Sequence, residues 1–412
     1  MRLTNRPGYC WLVLAAGTMA VYSALGLARF GYSVVLPAMQ SGLGMDNAQA
    51  GALASANLTG YLCMALLGGA MAAHWGARSV IVAGLTVAGI GMFLTGTVDG
   101  FSGAAFWRAV TGIGSGAANV AVMGMWTAWF PPNRRGLAAG IAVTGSSLAF
   151  ITIGPLVPWI LALGGAAGWR YCWQLFGGVT MLIAMLCLII IRSRPAAATI
   201  DLSSPYAGSN TPPADRHGSW HDVYRSPAAW HLGLVYVAFG FSYIIFMTFF
   251  VKHLMVAGGY SKAAAGSLFM AMGWANLACS FLWGGLSDRI GRKWAMAIIY
   301  LVHAAAFTLF GMAATPAVFT LAALLYGSTA FSIPAIMAAA CGDLFGQRLA
   351  PASLGFVTLL FGIGQALGPS VAGLMADATG SFSSAFLLAA AVALLGAIGA
   401  TTLRTASGRP TQ

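Results

Sequence analysis

Apolar residues come in long blocks along this chain, and polar residues are confined to short gaps between them. A block able to cross about 30 Å of hydrocarbon needs about 20 residues. Twelve such blocks can be marked, at 10–40, 48–73, 79–97, 101–128, 134–163, 169–191, 227–257, 262–287, 293–312, 315–345, 350–377 and 381–403. In lipid each backbone N–H and C=O must be satisfied within its own segment, so every block predicts a helix. The pattern predicts an all-α membrane protein with twelve transmembrane helices. One gap differs from the rest. Residues 192–226 are polar, rich in Pro and Ser and without an apolar period, which predicts a linker between a half at 1–191 and a half at 227–412.

The two halves repeat each other. With a shift of 215 positions, AQAGAL at 48–53 meets AAAGSL at 263–268. The same shift sets Gly76 on Gly291, Gly112 on Gly327 and Phe130 on Phe345. Pseudo-symmetric six-helix halves are the mark of an alternating-access transporter, with its site between the halves near the middle of the membrane.

Composition supports this picture. The chain is 59% hydrophobic and 7% charged, without a single Glu, whereas a soluble domain carries about a quarter charged residues. The net charge of +12 does not point to nucleic acid, because the basic residues sit in the gaps rather than along an aromatic-laced stripe. Arg2, Arg6, Arg78, Arg134, Arg135, Arg225, Arg289, Arg292, Lys293 and Arg348 fall on one side, against Arg170 and Lys262 on the other. That bias predicts cytoplasmic termini in a bacterial inner membrane. The six cysteines lie singly, so neither metal nor cofactor is expected. His217, His221 and Asp222 cluster in the linker, where a solvated stretch is a better reading than a metal site.

Three motifs join these blocks. GGLSDRIGRK at 284–293 ends a helix with Asp288 among Arg289, Arg292 and Lys293. RAVTGIGSG at 108–116 carries Arg108 within a span, and TGSSLAFITIGP (144–155) and FGIGQALGP (361–369) are Gly-rich helices ending in Gly-Pro. Together they resemble the major facilitator superfamily over the whole chain apart from the linker. ARFGYSVVLPAM (28–39) and SANLTGYL (55–62) resemble its bacterial YbfB/YjiJ-type branch. GLMADATGSF (373–382) resembles oxalate/formate exchangers and monocarboxylate transporters, which often carry an Arg on the eighth helix; here that helix has Trp274 and Asn276.

The resemblance implies which helices line the path: the first, fourth, seventh and tenth, joined by the second, fifth, eighth and eleventh. Polar residues midway along them are the candidate substrate contacts: Arg29, Tyr32, Asn57, Tyr61, Asn119, Tyr236, Tyr243, Asn276, Tyr326 and Gln365. Each Tyr or Asn is equally able to tie helices together. Arg108 matches the superfamily's fourth-helix Arg, which implies hydrogen bonding to backbone and a part in gating or proton coupling. Asp288, Arg289 and Arg292 match its cytoplasmic latch.

Arg29 is the sharpest candidate. A charge at mid-membrane costs ~2.5–3.5 kcal/mol even on insertion scales. All eight acids are Asp, and none falls at the depth of Arg29. A guanidinium fork matches a carboxylate with two parallel hydrogen bonds. The expectation is a monomeric secondary transporter of a small organic anion, a monocarboxylate, with or without a co-transported proton. The alternative is a drug-type exporter of amphipathic or neutral compounds. A ligand sensor and an enzyme are disfavoured, since neither an added soluble domain nor a nucleophile–base pair is seen.

Overall fold

The computed structural model describes residues 8–131, 134–192 and 220–403, apart from a few side chains within them. Every apolar block is helical: α1 Tyr9–Leu43, α2 Asn47–Trp75, α3 Ala77–Thr95, α4 Phe101–Trp129, α5 Arg135–Gly164 and α6 Gly168–Ile190. After a short helix at Trp220–Arg225 come α7 Pro227–Val256, α8 Lys262–Ile290, α9 Arg292–Gly311, α10 Pro316–Gly346, α11 Ala352–Thr379 and α12 Ser383–Thr401. Most of the linker, with His217, lies outside the described residues, as do the side chains of His221 and Asp222.

Among the described residues, eight helical stretches are long and apolar enough to cross a membrane by themselves, or nine if the bent α2 is one span. The difference from twelve has specific causes. α5 and α6 are joined by a three-residue turn at Gly165–Ala167 and merge into one stretch. α4 carries too many Gly, Ser, Asn and Trp residues to pass on hydropathy alone, and α8 runs over residues outside the described set. Large apolar side chains such as Phe93, Phe106, Trp159, Leu163 and Leu395 cover the outside, as lipid contact requires.

The turns keep the repeat. Gly44 and Gly259 have φ of 62° and 64°, Gly76 and Gly291 of 85° and 89°, and Gly165 and Gly380 of 54° and 71°, each pair 215 positions apart. A side chain at such φ would be strained, so glycine sets these corners. The N-caps match too: Asp46 accepts from Gln49 N at 2.6 Å, and Ser261 accepts from Ala264 N at 3.1 Å.

α2 packs on α11 and α5 on α8, and glycines permit both approaches. A Cβ on Gly51 would lie 2.1 Å from Pro369 O, and one on Gly373 2.2 Å from Asn47 O. Gly266 and Gly154 face each other as closely. These contacts close the end of the bundle that carries residues 44–46, 257–261 and 380–382. Polar bonds reinforce the closure. The Asp377 carboxylate accepts from Asn47 N at 3.1 Å, Asn47 Nδ2 at 2.7 Å and Ala48 N at 2.7 Å, so α11 caps the start of α2. Lys252 on α7 donates to Gln40 Oε1 and Asn47 Oδ1, and Ser370 bonds Ser55 at 2.9 Å.

Candidate substrate site

α1 is not α-helical throughout. Residues Tyr22–Phe30 form a π-helical stretch, a wider turn that recurs at functional sites. Gly26 lies in it against α5, where a Cβ would come 2.2 Å from Ala149 Cβ. On α1, Tyr22, Leu25 and Arg29 are half-buried, whereas residues 30–36 are all buried. Arg29 is the last half-buried residue before this buried run.

The Arg29 guanidinium stands 4.3 Å above the Tyr61 ring of α2, a cation–π contact of ~0.5–2 kcal/mol. Its Nη1 donates to the Tyr243 hydroxyl of α7 at 3.4 Å, a long bond, and its buried Nη2 has no hydrogen-bond partner. Gln365 on α11 also donates to the Tyr243 hydroxyl, and Asn119 on α4 donates to the Tyr61 hydroxyl at 2.8 Å. Behind these, the α7–α11 face is a stack of near-parallel rings: Tyr236 on Phe361 at 4.3 Å and Phe239 on Tyr243 at 4.7 Å.

Arg108 reaches the same place from α4. It is 1% exposed, donates through Nη1 to Ala28 O at 2.6 Å, and lies 4.8 Å from the Tyr32 ring and 5.0 Å from that of Trp173. Tyr32 donates to Ala50 O at 2.7 Å, and Asn57 Nδ2 donates to Arg108 O at 3.0 Å. Arg29, Tyr32, Asn57 and Arg108, with Ser33 and Thr248, wall one small space of about 10 Å³.

The structure thus brings seven of the predicted residues around Arg29: Tyr61, Asn119, Tyr243 and Gln365 on its half-exposed side, and Tyr32, Asn57 and Arg108 behind it. Two others lie apart. Asn276 donates to Ser147 Oγ at 2.9 Å and ties α8 to α5. Tyr326 sits in an aromatic cluster with Phe246 and His303, and its hydroxyl has no partner. In the predicted latch, Arg292 bonds Asp288 at 2.5 Å and Asp343 at 3.2 Å, while Arg289 is exposed beside them. Sequence reasoning missed Ser33, the π-helical turn and the pairing of Asp377 with α2. For Asp377 the only signal was an acid near a helix end.

A bundle of apolar helices with a buried cationic site between them defines a membrane transporter rather than an enzyme. The family model described as "Uncharacterised MFS-type transporter YbfB" matches residues 21–401, and the chain belongs to this family of the major facilitator superfamily. It is similar to a probable sulfoacetate transporter of Cupriavidus necator, 26% identical over 90% of this chain and 88% of that one. It is also similar to the hexuronate transporter of Bacillus subtilis, 24% identical over 90% of this chain and 89% of that one. Its fold matches a bacterial homologue of the human lysosomal transporter Spinster in an inward-facing, unoccupied conformation. There the TM-score is 0.76 at 18% identity, covering 98% of this chain and all of the other.

Proposed function

We propose that the protein is a secondary active transporter that moves a small organic anion across a bacterial inner membrane by alternating access. Twelve spans form two six-helix halves, 1–191 and 227–412, joined by a cytoplasmic linker at 192–226. Both termini are cytoplasmic, the protein works as a monomer, and the closed end faces outward. The observation that carries the reading is Arg29: a half-buried guanidinium at the edge of a buried run, with a free Nη2 and no acidic side chain on the wall beside it. A carboxylate on Nη2 would gain a charge-assisted bond that nothing in the protein supplies. A monocarboxylate is the minimal cargo on this reading, and a proton or a second anion balances transport.

The sulfoacetate and hexuronate relatives support an acidic cargo. Tyr61, Asn119, Tyr243 and Gln365 would complete the contacts, with Tyr32, Asn57, Asn276 and Tyr326 nearer the helix packing. Asp288, Arg289 and Arg292 would latch the inner end in the opposite conformation.

Thermal unfolding of the purified protein against carboxylates, sugars and amphipathic drugs tests the reading. A ligand of the folded state raises stability as RT ln(1 + [L]/Kd). Carboxylates are expected to stabilise the wild type and to lose their effect in Arg29→Ala. Stabilisation by drugs or sugars alone, untouched by the substitution, would overturn the anion reading and favour efflux or uptake of neutral compounds.

A further inference from the structure

Arg29 and Arg108 come from different helices, yet they wall the same small space. Each keeps one buried nitrogen without a partner, Nη2 of Arg29 and Nε of Arg108, and the Ser33 hydroxyl on the same wall is also unpartnered. Arg108 and Ser33 are 1% and 2% exposed. The contacts that the guanidiniums do make leave their charge in place. Arg29 has a tyrosine ring and hydroxyl, and Arg108 has a backbone carbonyl and two rings.

Among the described residues, no acid compensates them. Asp46, Asp99 and Asp377 lie toward the closed end, Asp288 and Asp343 toward the opposite end, and Asp201, Asp215 and Asp222 in the linker segment. None lines the space. Two like charges in a medium of low dielectric repel strongly, and two negative charges placed between them reverse the sign of the interaction.

We propose that this site selects short anions with two acidic groups, dicarboxylates or sulfo-carboxylates with one or two carbons between the acidic groups. The inference rests on the anion reading above and changes the cargo from one acidic group to two. The space of about 10 Å³ has room for about one oxygen-sized atom. The leading group puts an oxygen there, in a space lined by Arg29, Arg108 and Ser33, each of which keeps a donor without a partner. The trailing group stays on the half-exposed side of Arg29, beside Tyr61 and Tyr243. A long spacer would carry the second charge away from Arg29, so a short anion is required.

The test compares malonate and sulfoacetate with acetate and methanesulfonate, their one-charge counterparts, by thermal unfolding of the full-length protein at constant ionic strength. The two-headed anions are expected to bind about ten- to a hundredfold more tightly, the range of one added charged hydrogen bond. In Arg108→Gln that advantage should shrink to less than about threefold. An advantage kept in full in Arg108→Gln overturns the assignment of the leading group of a two-headed anion to Arg108. If that variant does not fold, the wild-type ratio decides: equal affinity for both classes overturns the two-group proposal and leaves the anion reading standing. Stabilisation by none of the four anions overturns both.

Discussion

The two ends of the helix bundle use the same residue types to different effect. At the closed end, acid and base reach across the molecule: Asp377 of α11 caps α2, and Lys252 of α7 bonds residues at the end of α1 and the start of α2. At the opposite end, Asp288, Arg292 and Asp343 bond one another within α8, α9 and α10. The first set joins helices of the first half to helices of the second; the second set stays on one side. Sequence motifs drew attention to the second set, yet the first holds this conformation. A charged cluster latches a bundle only when its partners move apart in the alternative state.

Breaking the closed end should show this most clearly through its glycines. In Gly51→Val the new side chain meets the Pro369 carbonyl, which is backbone and cannot give way. The expected cost is about 1–3 kcal/mol, with transport lost because this end no longer closes. Unfolding temperature and uptake in vesicles both report it, and a variant with normal uptake would refute the role of this contact.

Asp377→Ala comes next. It removes three hydrogen bonds to a carboxylate and uncaps α2, at about 1–3 kcal/mol. A cysteine at Ser55, buried and bonded to Ser370, should then react faster with a membrane-impermeant thiol reagent. An unchanged rate would mean that the cap does not hold the end shut. Lys252→Met should act in the same direction but more weakly, at about 1 kcal/mol, since Asp377 still caps the helix.

Arg292→Ala sharpens the contrast from the other side. Its acidic partners are more than half exposed, so the loss of stability should be about 0–1 kcal/mol, with Ser55 cysteine reactivity unchanged. A large rise in that reactivity would show that the inner cluster also bears on the closed end.

Much of the framework was legible in the sequence. Each apolar block became a helix with ends within a few residues of the expected bounds, because lipid leaves a buried backbone no other way to bond. The repeat pairs Gly291 with Gly76, and the two adopt φ of 89° and 85°. The site was only partly legible. Arg29 stood out as a charge in an apolar run and Arg108 as a fourth-helix Arg expected to bond backbone and serve gating or proton coupling; the structure sets both on the wall of one space. Nothing local marks that meeting, since the two residues lie on helices separated by two others.

By itself, the sequence determined the helices, their glycine corners, the repeat and the family. These follow from hydropathy, backbone sterics, short motifs and the alignment of one half on the other. Tertiary structure alone decided which polar atoms meet. The π-helical turn that presents Arg29, the small space it shares with Arg108 and the cap that Asp377 places on a helix 330 positions away depend on how the helices pack. Packing turns on close approaches such as Gly26 on Ala149 and Gly51 on Pro369, which a one-dimensional pattern does not encode.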